Sequence, residues 1–331
     1  MLMLKKTIAA LSLLSILAAC QNDENPSQPE PKPRQDINLT RAEQEFMDKG
    51  TDFAFRFFDQ VCSTEKEKPN VFVSPLSASL CLSMITNGAT DNTLAEMQDV
   101  LGFPANTFSL DELNNYNQKL TSALLDLDNT TQLGIANSIW IEEGFKVYDS
   151  FVDVNKKMYD AQVQELDFTS PTAKDVINQW CATQTNNCIK EVIQEIPADA
   201  RMYLINALYF KGIWKSQFDK SATGQDNFTN VDGSQQKVAM MNQTATFNYT
   251  QTDDFSIAEL PYGNEAFSMV ILLPSGDKTL DESLPNLNYE NWKQWSKNMV
   301  GKELQIKLPR FKVEYDKELE EDMIAMGMKD A

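Results

Sequence analysis

Apolar positions along the chain change their period twice, from helical to alternating. Over 38–62 the aromatics Phe46, Phe53, Phe57 and Phe58 recur at roughly helical spacing behind Leu39-Thr40, predicting a long amphipathic helix packed on the core. In NVFVSPLSASLCLSMITNGA (70–89), Ser74 followed by Pro75 reads as an N-cap and first helical residue, and Gly88 as the stop. Leu76, Leu80, Leu82, Met84 and Ile85 lie between them with no charge on any face, the pattern of a helix buried all round. In DNTLAEMQDVLGFP, Thr93 and Glu96 predict a capping box, and Gly102 with Pro104 predicts the end; a further helix is expected over 111–127.

The period then drops to two. QLGIANSIWI places Leu133, Ile135, Ile139 and Ile141 on one face of a half-buried strand, and FVDVNKKMYDAQVQELDF predicts a helix passing into another strand. PTAKDVINQWCATQTNNCIKEVI is helical again, with Val176, Ile177, Trp180, Ile189 and Val192 expected inward. RMYLINALYFKGIW is a near-continuous apolar strand suited to the middle of a large sheet. From 218 to 274 strand signals dominate, in QKVAMMNQTATFNYT, FSIAELPYG and FSMVILLPSG, punctuated by Gly233, Gly263 and Gly276. A helix is expected at YENWKQWSKNM, a strand through ELQIKLPRFKVEY, and a closing helix in which Leu319, Met323 and Met326 recur before Gly327. Helices first, then a mixture, then mostly sheet, with no internal repeat and no linker, predict one α+β domain over 39–331.

The first residues are of a different kind. Lys5 and Lys6, the apolar run over 8–17 and Leu17-Ala18-Ala19-Cys20 form a signal peptide over 1–19, too short to span a bilayer comfortably. The placement of Cys20 resembles a bacterial lipoprotein signal, in which the cysteine is lipidated and becomes the mature N-terminus. A polar stretch over 20–38, with prolines at 26, 29, 31 and 33, reads as a solvated tether. Its acidic start, Asp23 and Glu24, resembles an export signal to the outer face of the envelope. The expected location is therefore the bacterial outer membrane or cell surface, facing outward, with a lipid anchor in the membrane.

Charge and composition narrow the chemistry. At 331 residues and 42% hydrophobic content the chain can bury a large core. A net charge of −19, with no basic cluster interleaved with aromatics, argues against nucleic acid as a partner. Cys62, Cys81, Cys181 and Cys188 form no C-x-x-C pair, and with no histidine in the chain no metal set is expected. Cys181 and Cys188 read as seven apart on one helix, roughly 10 Å along its axis and beyond disulfide reach. The absence of histidine also removes every Ser-His-Asp and Cys-His mechanism, which disfavours a surface hydrolase.

The buried helix holds a question that periodicity does not answer. Ser74, Ser77, Ser79 and Ser83 are mediocre helix formers, and a buried hydroxyl without a partner costs about 1–3 kcal/mol. By themselves they read as small side chains at a close helix-to-sheet contact. The blocks NVFVSPLSAS, NGATDNTLAEMQDVL, ANSIW, YDAQVQELDF, INQWCATQTNNCI, LINALYFKGIWKSQF, VAMMNQTATFNY, ELPYGNEAFSMVILLP and LPRFKVEYDKELEEDMIAMGM occur in that order. On them the chain from 39 to 331 resembles the serpins, a family of suicide-substrate protease inhibitors.

The resemblance implies a serpin fold of three β-sheets with eight or nine surrounding helices. It implies a monomer without cofactor that is not an enzyme and whose partners are serine or cysteine endopeptidases. In that mechanism a cleaved reactive loop inserts as a new strand in the central sheet. Ser74, Ser77 and Asn206 fall on the shutter, where the sheet must part, and Trp214 on the breach, where insertion starts; Trp214 also reads as a core aromatic. The sequence departs from the family by stopping at Ala331, with roughly a fifth of the domain to follow. The reactive-site bond would lie beyond Ala331, as would the last strands and the histidine of the shutter. Two accounts stay open: a truncated form of a complete inhibitor, or a chain that ends here and serves as a non-inhibitory, serpin-like binding lipoprotein. The second leaves large sheet edges unpaired, an aggregation hazard.

Overall fold

Local chemistry sets most helix boundaries. Thr40 caps α1 (Arg41–Thr64): its hydroxyl accepts the Glu43 amide at 3.3 Å, and the Glu43 carboxylate accepts the Thr40 amide at 2.7 Å. Ser109 and Glu112 repeat the arrangement at α4 (Leu110–Asp126), while Ser74 and Pro75 open α2 (Pro75–Thr86) as expected. The structure, a computed structural model, describes residues 30–68 and 70–330. Cys20, the signal segment and the first part of the expected tether lie outside them.

α3 (Asp91–Leu101) differs from the reading. It starts at Asp91, and Thr93 and Glu96 form no capping box. The Glu96 carboxylate instead accepts the amides of Lys329 and Asp330, both at 2.7 Å, and Thr93 donates to the Asp330 carbonyl at 3.0 Å. Two charge-assisted bonds from the far end of the chain outweigh one local cap.

The sheet region begins with β1 (Gln132–Glu142), α5 (Asp149–Tyr159), β2 (Gln162–Leu166), α6 (Ala173–Gln184) and β3 (Met202–Lys211). α6 is shorter than expected, because Asn186 and Asn187 turn into the left-handed region at φ 48° and 61°. Cys188 therefore lies past the helix that carries Cys181, and Val176, expected inward, faces out. All four described cysteines are free thiols.

β4 (Gly224–Thr229), β5 (Gln235–Gln251), β6 (Phe255–Pro261) and β7 (Ser268–Pro274) follow, then α7 (Leu280–Ser283), α8 (Tyr289–Lys297), β8 (Val300–Pro309) and α9 (Glu320–Met326). β8 ends six residues before the expected Tyr315. Residues 310–319 are in no strand; Val313, Tyr315 and Leu319 pack instead into the helical core around α1.

Hydrogen bonding among the described strands gives two sheets, in the order β2-β1-β3 and β4-β5-β6-β7, with β8 also on β5. The three sheets implied by the resemblance are joined into these two because β5 is long enough to pair with β4, β8 and β6 in succession. In the first sheet β1 runs parallel to β2 and antiparallel to β3. Its two faces are both covered. Ile139 and Ile141 meet Leu80, Cys81 and Met84 of α2 with Phe151 of α5, whereas Trp140 meets Ile177, Trp180 and Cys181 of α6. Alternation thus becomes burial on both sides, each large apolar side chain contributing about 1.5–3 kcal/mol. On its other side α2 joins α1, α3 and α4 around Phe53 and Phe57.

Candidate functional site

The register of β1 and β3 sets Asn137 directly opposite Asn206. Both positions fall on the parity of the face toward α2, in line with Ile135 and Ile139 on one strand and Leu204 on the other. An amide on an apolar strand face is costly unless paired. Here the pairing is made: Asn206 Nδ2 donates to Asn137 Oδ1 at 2.8 Å, and Asn137 Nδ2 donates to the Tyr159 carbonyl at 2.7 Å. The remaining acceptor, Asn206 Oδ1, takes the hydroxyl proton of Ser77 from the first turn of α2. One helix and two strands are therefore linked through a row of small polar groups.

The row continues along α2. Cys81 Sγ donates to the Leu204 carbonyl at 3.5 Å. Farther on, the Tyr159 hydroxyl donates to Asn114 Oδ1 at 2.6 Å and accepts from Asn117 at 3.2 Å, and Asn114 and Asn87 exchange amide bonds at 2.8 and 3.2 Å. Burial pushes the Tyr159 hydroxyl up to about 12, partly offset by its hydrogen bonds, so it stays a neutral donor. No formal charge enters the seam. Each bond joins groups on different elements, so α2, α4, α5, β1 and β3 are tied together through neutral hydrogen bonds.

Of the residues singled out in the sequence, Ser77 and Asn206 meet here. Ser74 sits one turn earlier, its Oγ accepting the Ser77 amide at 3.3 Å, so it reaches the seam only by capping α2. Asn137, Asn114, Asn87 and Tyr159 escaped the sequence reading. Asn137 carried a signal, since it interrupts the apolar parity of Leu133, Ile135, Ile139 and Ile141. Asn114 and Tyr159 lie on helices and Asn87 at the end of one, where polar residues are unremarkable.

Trp214 stands apart from the seam, just past the end of β3 and roughly 25 Å from Asn206 at ordinary strand rise. It bridges to Tyr262, with the rings stacked 4.3 Å apart at 17°, and Phe218 packs edge-on at 6.0 Å. Two glycines make room. A Cβ on Gly212 would sit 2.6 Å from the Tyr262 ring, and one on Gly263, whose φ is +37°, would fall 2.1 Å from Asp128 Oδ2. The reading of Trp214 as a core aromatic is met, and its indole N–H has no acceptor among the described residues. Between seam and platform the outer edge of β3 pairs with no described strand. Among the described residues no group of three or more cysteines or carboxylates could hold a metal.

Comparison with known proteins bears on this arrangement. A family model described as Serpin (serine protease inhibitor) matches residues 48–331. A serpin-like protein of Methanosarcina acetivorans is 33% identical over 286 residues, covering 84% of this chain and 66% of that protein. Serpin B3 of Homo sapiens is 31% identical over 300 residues, covering 85% of this chain and 76% of that protein. The chain thus spans about two thirds of the first relative and three quarters of the second. Among solved structures, the thermophilic serpin tengpin in the latent state superposes with a TM-score of 0.79 at 30% identity, over 89% of this chain and 77% of that one.

Proposed function

The chain belongs to the serpin family, and from that premise we propose that it inhibits serine or cysteine endopeptidases as a suicide substrate, by insertion of a cleaved reactive loop beside β3. Members of this family are protease inhibitors and not enzymes. The nucleophile of the reaction belongs to the protease; this protein contributes bait, sheet and stored strain. The observation that carries the reading is the bridge from Ser77 through Asn206 to Asn137 next to the outer edge of β3. A strand added beside β3 requires β3 to shift over α2, and uncharged hydrogen bonds between them can be traded at little net cost. We assign Ser77 and Asn206 to the shutter with Ser74 as their cap, and Trp214 to the breach at the end of β3.

The test is incubation with a panel of serine and cysteine endopeptidases followed by denaturing electrophoresis. An adduct that survives SDS supports inhibition, and the peptide released from it identifies the bait residue. Cleavage without an adduct supports the alternative of a non-inhibitory binding protein. The proposed location, a lipoprotein on the outer face of a bacterial envelope, is supported by Lys5, Lys6, the apolar run over 8–17 and Leu17-Ala18-Ala19-Cys20. Cys20→Ala should abolish labelling by radioactive palmitate and release the protein from the membrane fraction; unchanged labelling sinks the assignment.

A further inference from the structure

The segment ahead of α1 is gripped by the fold. Asn129, in the turn between α4 and β1, brackets its backbone at two points: Oδ1 accepts the Lys32 amide at 2.8 Å, and Nδ2 donates to the Glu30 carbonyl at 3.0 Å. Pro31 and Pro33 have no amide hydrogen, so Lys32 carries the one backbone donor between them. Proline also holds the segment extended, which leaves little conformational freedom to lose on docking. The Lys32 ammonium lies 2.8 Å from Asp126 Oδ1. Asp126 is the last residue of α4, a helix with no basic residue in its last turn, so its carboxylate faces the negative end of the helix dipole. Lys32 supplies from elsewhere in the chain the cation that helix end lacks.

The same turn leads to Trp214. Asp128 accepts the Thr130 amide at 2.8 Å, the hydroxyls of Thr130 and Thr131 at 2.7 and 2.8 Å, and the Asn264 amide at 3.4 Å. Burial alone would raise this carboxyl, yet those hydrogen bonds carry it below the ordinary aspartate value. Asn264 donates in turn to the Leu127 carbonyl at 2.7 Å and follows Gly263 and Tyr262, the ring stacked on Trp214.

The geometry points to an intramolecular docking site: the α4–β1 turn clasps residues 30–32, and occupancy of the clasp is coupled to the Asp128–Asn264 link beside Trp214. The clasp stands on these contacts alone; its bearing on sheet opening rests on the function proposed above.

Residue-resolved hydrogen–deuterium exchange on the full chain tests it without a protease, so failure of the clasp and failure of the inhibitory reading are separable. In the wild type the Lys32 amide should exchange about tenfold more slowly than in a free peptide of the same sequence. Asn129→Ala should bring it to the peptide rate and speed the Thr130 and Asn264 amides about threefold or more. Lys32→Gln keeps the amide but removes the exposed ion pair to Asp126, so it should speed the Lys32 amide less than Asn129→Ala does; a larger effect than that of Asn129→Ala overturns the backbone clasp. Replacing Pro31 and Pro33 by glycine should speed it more than Lys32→Gln does, because the segment then has freedom to lose. A wild-type Lys32 amide already at the peptide rate overturns the clasp. Thr130 and Asn264 amides indifferent to Asn129→Ala overturn the coupling.

Discussion

Removing the amide of Asn206 is the sharpest probe of the seam. Asn206→Ala strands two groups at once, the Ser77 hydroxyl, 3% exposed, and Asn137 Oδ1, on a residue 4% exposed. At about 1–3 kcal/mol for each orphaned buried group, the loss is about 2–6 kcal/mol. Ser77→Ala strands only Asn206 Oδ1, for about 1–3 kcal/mol. In the double variant Asn137 Oδ1 alone is orphaned, so it should lose about 1–3 kcal/mol where simple addition gives about 3–9. The coupling of about 2–6 kcal/mol comes from hydrogen bonding, since the small cavities left by the two truncations add. Urea titration followed by tryptophan fluorescence measures all four proteins. Single-variant losses that sum to the double-variant loss within about 0.5 kcal/mol would refute the bridge.

Ser77→Val should in addition shift the protein toward polymeric or latent forms on native gels and size exclusion while circular dichroism stays wild type; a monomeric variant that inhibits normally refutes the shutter assignment. Lys317 lies 3.1 Å from both Glu65 and Asp322, with Asp322 only 1% exposed, so Lys317→Met should cost about 3–5 kcal/mol in urea titration by leaving a buried carboxylate without its cation. A cost under about 1 kcal/mol would show that this pair is solvated after all. Burial pushes the thiols of Cys81 and Cys181 up to about 12, and burial with the nearby Asp59 pushes Cys62 up to about 11. At pH 8 iodoacetamide should therefore label none of the three quickly until the protein unfolds, as peptide mass mapping would report. The Lys119 ammonium and the Thr40 amide lower the Glu43 carboxyl from 4.5 to about 2. Its stabilisation is complete above 4.5 and lost as pH falls toward about 2, so Glu43→Gln should flatten the acid limb of stability in that window. An unchanged limb would remove Glu43 from the account.

Sequence by itself determined what depends on near neighbours. Thr40, Ser74 and Ser109 cap helices three residues ahead of the groups they bind, and the alternation in QLGIANSIWI fixes a strand, because both signals act within one turn or one pleat. The order of blocks carried the family. Only the tertiary structure decided where that logic meets competition across the chain. Glu96 forgoes a local cap for amides more than two hundred residues away, and 311–315 alternates like a strand yet finds no strand partner among the described residues. The seam is of the same kind. Serines in a buried helix signalled that hydroxyls would need partners, but Asn206 and Asn137 become those partners only because strands 69 residues apart pair in one register and present both amides to α2. A shift of one residue would turn them to the opposite face, and no local preference distinguishes the two registers.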